Sequence, residues 1–205
     1  MVIGIHDEAS DEELLRRFNE GDATAFEVLV RRYQKPLLNF ILRSVGDRNT
    51  AEELLQDAFL RVVTKSTDFQ GNSKFSTWLY TIARNLCIDT GRKMVFRRHR
   101  SLDAPLRSGE AESATLLDRV AGDEPAADRA VIGQDLQERI ALAVEELPEE
   151  QREVFLMREL QNLAFKDIAE IVGVPENTVK SRMRYALERL QRALAEYADY
   201  ARETR

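Results

Sequence analysis

Apolar residues return every three or four positions along most of the chain, the spacing of one helix face. Ser10 with Glu13 three residues on reads as a capping box that opens a short helix, ended at Gly21. Asp22 can cap the next, whose stripe runs Phe26, Leu29, Val30, Tyr33, Leu37, Ile41 and Val45. Pro36 predicts a kink or break there, because proline removes a helical hydrogen bond and crowds the preceding turn. Gly46 stops the element. Asn49 with Glu52 suggests a second capping box, followed by Ala51, Leu54, Leu55, Ala58, Phe59, Val62 and Val63 on one face. Glu53, Gln56, Asp57 and Arg61 lie opposite. After the polar loop STDFQGNSK, Phe75, Trp78, Leu79, Ile82, Ala83 and Leu86 mark another helix, with Thr77, Thr81, Arg84 and Asn85 on its other side and Gly91 as its expected end.

The periodicity fails over residues 101–130, which are acidic and hold Pro105, Gly109, Gly122 and Pro125. This stretch reads as a linker with one short helix near Leu116 and Leu117. Helical spacing resumes from Val131 to Leu147, then from Pro148 to about Leu160, over 165–172 and over 176–195. No strand alternation and no repeat occurs. The expected fold is all-α: two small helical domains, 10–100 and 131–197, joined by an acidic flexible linker.

The net charge of −6 argues against nucleic-acid binding until its distribution is read. Residues 14–100 carry 16 bases against 9 acids, whereas residues 101–150 carry 4 against 13. Local basic surface attracts phosphate, whatever the total charge. The single cysteine, Cys87, excludes an internal disulfide framework and a multi-cysteine zinc site, and its apolar setting suggests a buried inert thiol. No apolar run reaches the ~20 residues of a membrane span, and the acidic start lacks the form of a signal peptide, so a cytoplasmic protein without membrane insertion is expected. There is no phosphate-binding glycine loop, dinucleotide fingerprint or metal-ligand cluster, and His6 and His99 stand alone. No catalytic residue, metal or cofactor is expected, and the chain does not read as an enzyme.

The stretch FKDIAEIVGVPENTVKSRMRYALERL has the form of a helix-turn-helix. Ile168, Ala169 and Val172 face the core, Gly173 permits the left-handed turn and Val174 plugs it. Pro175 presets the next helix, which Val179, Met183, Leu187, Leu190 and Leu194 hold down. Asn177, Thr178, Lys180, Ser181, Arg182, Arg184 and Tyr185 remain exposed on a helix that can enter a major groove. Arginine grips guanine through two hydrogen bonds, and the hydroxyls suit bases or phosphates. A solvated basic helix face is the bland alternative.

AEELLQDAFLRVV, then FSTWLYTIARNLCIDTGRK, then LPEEQREVFLMRELQNLAFKDIAEIVGVPENTVKSRMRYALERL, in that order and spacing, resemble the extracytoplasmic-function (ECF) sigma factors of bacterial RNA polymerase. The resemblance covers about residues 10–100 and 130–195. It implies docking on the polymerase β′ coiled coil through Glu53, Gln56, Asp57, Phe59, Leu60 and Arg61. The segment from Asp68 to Lys93 matches the family's −10 promoter reader. Holding a base out of the stack costs a few kcal/mol, which aromatic and amide groups beside cations can offset. Asn72, Lys74, Ser76, Thr77, Trp78, Thr81, Arg84 and Asn85 are its candidates, with Phe69, Phe75 and Tyr80 beside them. Core packing is the competing role of Phe75 and Trp78. Arg92, Lys93, Arg97, Arg98 and Arg100 suit phosphates. The helix-turn-helix resembles the −35 reader, so Thr178, Lys180, Ser181, Arg182 and Arg184 carry over, while Asn177 stands where many relatives have glycine. The linker of thirty residues can extend to about 100 Å, enough for promoter elements roughly 70 Å apart.

The implied partners are core RNA polymerase, promoter DNA and an anti-sigma factor. Two readings from other classes compete: a helix-turn-helix regulator that binds DNA without polymerase, and a helical scaffold that binds only proteins.

Overall fold

The computed structural model of the chain describes residues 9–100 and 139–195, with side chains in the first stretch as far as Lys93. All regular structure among the described residues is helical. Helix α1 spans Asp11–Asn19, and the Ser10 hydroxyl accepts from the Glu13 N–H at 3.2 Å. The reciprocal half of the expected capping box is missing, because the Glu13 carboxylate turns to Arg16 and Arg17 instead. Hydrogen bonds from Arg16 and Arg17 lower its carboxyl to about 2. Stabilisation from this pairing is therefore present above the ordinary glutamate range and lost as pH falls toward about 2.

Helix α2 spans Ala23–Val45 and is capped by Asp22, which accepts from the Thr24 N–H at 3.0 Å. Pro36 lies within it and does not end it. Proline forfeits one backbone hydrogen bond, but Leu37, Phe40 and Ile41 on the following turn are buried and hold the chain in register. Gly46 adopts φ 76° and returns its N–H to the Leu42 carbonyl. Helix α3 spans Arg48–Lys65, and its cap is Asp47 rather than Asn49, with the carboxylate 2.7 Å from the Thr50 N–H. A single 3-10 turn, Ser66–Asp68, leads out of it. Helix α4 runs Phe75–Arg100, straight through Gly91. Glycine ends a helix by turning left-handed, and Gly91 keeps an ordinary φ.

A helical segment over 139–145, α5, opens the second described stretch. Helix α6 covers Glu149–Phe155 and widens into a π turn over Leu156–Leu160. Helices α7, Phe165–Val172, and α8, Glu176–Ala193, follow. The linker reading of 101–130, its short helix near Leu116 and Leu117, and residues 131–138 lie outside the described residues, as do the side chains of Arg97, Arg98 and Arg100.

In the N-terminal unit, α1, α3 and α4 pack on α2 around Leu14, Leu29, Phe40, Ala58, Val62 and Leu79, each almost fully buried. Burying one such leucine contributes about 1.5–3 kcal/mol. Ala51 and Ala58 let α3 approach closely. In the C-terminal unit, α6 and α7 pack on α8 around Val154, Ile168, Val179, Met183 and Ala186. Two residues expected on apolar stripes, Val63 and Leu187, are exposed, because they sit at the edges of stripes whose centres are Val62 and Ala186. On α7 the buried residues are Ile168 and Ile171, the latter unassigned by the pattern, whereas Ala169 and Val172 are half-buried.

Gly173 closes α7 at φ 75°, donating to the Ala169 carbonyl at 2.9 Å, and open space surrounds the position where a Cβ would stand. Gly173→Ala is therefore expected to cost about 1–2 kcal/mol through the backbone alone. Gly173→Asn should cost less, since asparagine tolerates this conformation. Urea midpoints of the two variants check the order.

Candidate nucleic-acid interface

The turn between α7 and α8 sets the first candidate surface. Gly173 and Pro175 redirect the chain so that Val179, Met183 and Leu190 of α8 face the core. The opposite side then carries Asn177, Lys180, Ser181, Arg184 and Tyr185, all exposed, with Thr178 half-buried at the first turn. Lys180 pairs with Glu176 at 2.6 Å and Arg184 with Glu188 at 3.5 Å, both one turn apart along the helix. Pairs of this kind contribute a few tenths of a kcal/mol and are easily exchanged for phosphate. Arg184 also lies over the Tyr185 ring, 4.6 Å from its centroid. The Ser181 hydroxyl donates to the Asn177 carbonyl.

Arg182 does not share this surface. Its side chain is 17 % exposed and reaches back to α6, 2.7 Å from Glu150 and 3.7 Å from Glu153. The i+3 step from Val179 puts it at the flank of the buried stripe, so it braces α8 on α6.

The second surface is the outer face of α3. Glu53, Gln56, Asp57 and Arg61 are exposed there, and Leu60 is 60 % exposed beside them. Phe59 belongs to the other side: it is partly buried and meets the Phe26 ring edge-on at 6.2 Å.

The third surface is the loop before α4 and the side of α4 opposite the N-terminal core. Here the structure separates the candidates. Phe69, Phe75 and Trp78 form an aromatic cluster, with Trp78 5.2 Å from Phe69 and 6.2 Å from Phe75. Trp78 is half-buried in it. Asn72, Asn85, Arg92 and Lys93 are exposed, and Ser76 and Thr81 are half-buried. The Thr81 hydroxyl donates to the Thr77 carbonyl. Thr77 itself is only 1 % exposed and its hydroxyl has no partner, so it cannot meet a ligand in this arrangement.

The remaining candidates are engaged by the C-terminal unit. Lys74 meets Asp167 of α7 at 2.7 Å, and that carboxylate raises the lysine above its ordinary range. Arg84 makes a two-pronged contact with Glu153 of α6, at 2.7 and 3.3 Å. Tyr80, packed edge-on against Phe40, donates to the Gln161 side chain at 2.6 Å, and Gln161 donates to the Pro36 carbonyl at 3.1 Å. Residues 69 to 125 positions apart meet here, so no local pattern could have singled out Glu153, Gln161 or Asp167. Cys87 borders the cleft between the units, and burial pushes its thiol up to about 12. Among the described residues no group of three or more possible metal ligands occurs, and no helix is long and apolar enough to cross a membrane.

Comparison with known proteins agrees with this layout. The model of sigma-70 region 2 matches residues 29–99, and that of sigma-70 region 4 matches residues 137–190. The chain is 33 % identical over 185 residues to the RNA polymerase sigma-H factor of Pseudomonas aeruginosa, covering 90 % of this chain and 93 % of that one. It is 32 % identical over 180 residues to the ECF RNA polymerase sigma factor SigW of Bacillus subtilis, covering 88 % and 94 %. Among solved structures it resembles the sigma factor RpoE from Bartonella quintana in complex with the anti-sigma factor NepR. The TM-score is 0.64 at 26 % identity, over 83 % of this chain and 96 % of that one.

A buried hydroxyl without a partner is destabilising by about 1–3 kcal/mol. Thr77→Val should therefore raise the unfolding midpoint. A lowered midpoint would mean that the hydroxyl is satisfied after all.

Proposed function

The chain belongs to the ECF sigma factors of bacterial RNA polymerase, and from that premise we propose how its surfaces divide the work. The protein binds core RNA polymerase and directs promoter-specific initiation. The exposed face of α3, with Glu53, Gln56, Asp57, Leu60 and Arg61, takes the polymerase. Phe59 acts beneath it, by holding α3 on α2. The loop and outer side of α4 read the −10 element, with Asn72, Lys74, Ser76, Thr81, Arg84 and Asn85 near the bases and Arg92 and Lys93 on phosphates. Trp78 and Thr77 support this surface from within. Asn177, Thr178, Lys180, Ser181, Arg184 and Tyr185 of α8 read the −35 element, while Arg182 positions the helix. The domain limits that follow are 10–100 and 131–197, with the acidic linker between.

The observation that carries this division is the helix-turn-helix geometry. It leaves a basic, hydroxyl-bearing face on α8 with no apolar group to bury but the rim residues Tyr185 and Leu187. The relatives are named as sigma factors, and the role is non-catalytic: selection of the start site, not chemistry. We place the protein in the cytoplasm, where core polymerase resides. An anti-sigma factor is among its partners, as in the Bartonella sigma factor solved in complex with one.

Asp57→Ala is expected to weaken co-elution with core polymerase on gel filtration while leaving −35 reading intact. Lys180→Ala and Arg184→Ala should do the reverse. A base contact is worth about 1–3 kcal/mol, so run-off transcription from a −35-dependent promoter should fall roughly five- to a hundredfold. Equal loss of core binding in both classes would refute the division. Failure of the folded wild-type chain to co-elute would favour a regulator that binds DNA alone.

A further inference from the structure

Helix α1 holds both ends of the loop that carries Asn72 and Lys74. Where the chain leaves α3, the Asn19 amide donates to the Ser66 carbonyl at 3.0 Å. Where α4 begins, the Glu12 carboxylate accepts from the Phe75 N–H at 2.9 Å. These partners are 47 and 63 positions away in sequence. Glu12 and Asn19 stand about two turns apart along α1 and so share one side of it.

The start of α4 has no acid of its own. Its first turn holds none, and Lys74, just ahead of it, carries no acceptor with which to cap a free N–H. A carboxylate is favoured at a helix N-terminus, where the backbone N–H groups lack helical partners. Glu12 supplies it from another helix. That helix is itself firmly seated: Leu14 and Leu15 are buried, and Asp11 accepts from Arg32 of α2 at 2.7 Å and from the Tyr33 hydroxyl. The Tyr33 ring in turn meets Phe75 edge-on at 5.4 Å. Between the two held points the loop turns at Gly71, whose φ is 71°. Fixed ends leave such a loop fewer conformations to give up when it closes on a base.

We propose that α1 is a two-point clamp on the −10-reading loop, and that Glu12 and Asn19 are positioning residues for −10 selectivity, acting through Asn72 and Lys74 rather than by contact with DNA. The proposal rests on the sigma-factor reading for what the loop reads but not for the clamp itself, which is a property of the free chain.

Amide hydrogen exchange of the full chain tests the clamp without polymerase. In Glu12→Ala/Asn19→Ala the amides from the loop into the first turn of α4 should exchange several-fold faster than in wild type, while those of α2 and α8 keep their rates. Glu12→Gln retains an acceptor oxygen for the Phe75 N–H and should keep the wild-type protection. Unchanged exchange in the double variant would overturn the clamp. Should that variant lose helix by circular dichroism, Glu12→Ala alone, judged against Glu12→Gln, decides by the same criterion. Base selection then tests the consequence. Holoenzyme assembled from each full chain and core polymerase is offered fork-junction DNA randomised over the −10 element. Wild type and Glu12→Gln should enrich the same bases, and Glu12→Ala/Asn19→Ala should enrich them several-fold less, with co-elution on core polymerase unchanged. A loosened loop with wild-type enrichment would overturn the positioning role. So would an equal loss in Glu12→Gln, or a parallel loss of core binding, which marks a merely structural part. Wild-type holoenzyme that enriches no base would overturn the sigma-factor reading of the loop and the selectivity role with it, while the exchange comparison would still decide the clamp.

Discussion

Helix α4 has to satisfy two masters with one sequence, and most of the structure follows from that constraint. Phe75, Leu79, Ile82, Ala83 and Leu86 must be buried against α2 and α3 for the N-terminal unit to exist. The residues between them cannot then be apolar without exposing a second greasy face. Thr81, Arg84 and Asn85 are accordingly polar groups that can meet nucleic acid or another polar surface, while Thr77 is buried. Tyr80 joins the two, with its ring in the core against Phe40 and its hydroxyl at the far edge.

The same tension governs α8. Val179, Met183, Ala186 and Leu190 anchor it, and the anchoring fixes which side chains face outward. Arg182 falls at the boundary, so it is drawn to Glu150 and Glu153 rather than to solvent. A charged group at the rim of a core gains more from a nearby carboxylate than an exposed one does, because solvent screens it less. A contact surface is therefore narrower than the full set of polar residues on a helix. The polar contacts between units are of the sort that exchange readily. They combine one partly exposed pair, one nearly buried pair and a neutral hydrogen-bond chain through Gln161 to Pro36. Removing one partner of a buried pair is costly, while the pair as a whole adds little net stability. Such contacts favour a particular arrangement without making it permanent.

By itself the sequence determined the helices, their order and the helix-turn-helix. Periodic apolar positions, the caps at Ser10 and Asp22, and the left-handed turns at Gly46 and Gly173 act over a few residues, where spacing and backbone preference suffice. The family resemblance was legible for the same reason, since it rests on the order of these local segments. Local rules failed where they compete. Asp47 took the cap from Asn49, Gly91 did not end α4, and Pro36 did not break α2, where Leu37, Phe40 and Ile41 on the following turn are buried. Only the tertiary structure decided that Thr77 is covered, that Phe59 and Trp78 pack inward, that Arg182 is a brace, and that Lys74 and Arg84 face Asp167 and Glu153. Those outcomes join residues far apart in the chain, and a helical period states which face a side chain is on but not what lies against that face.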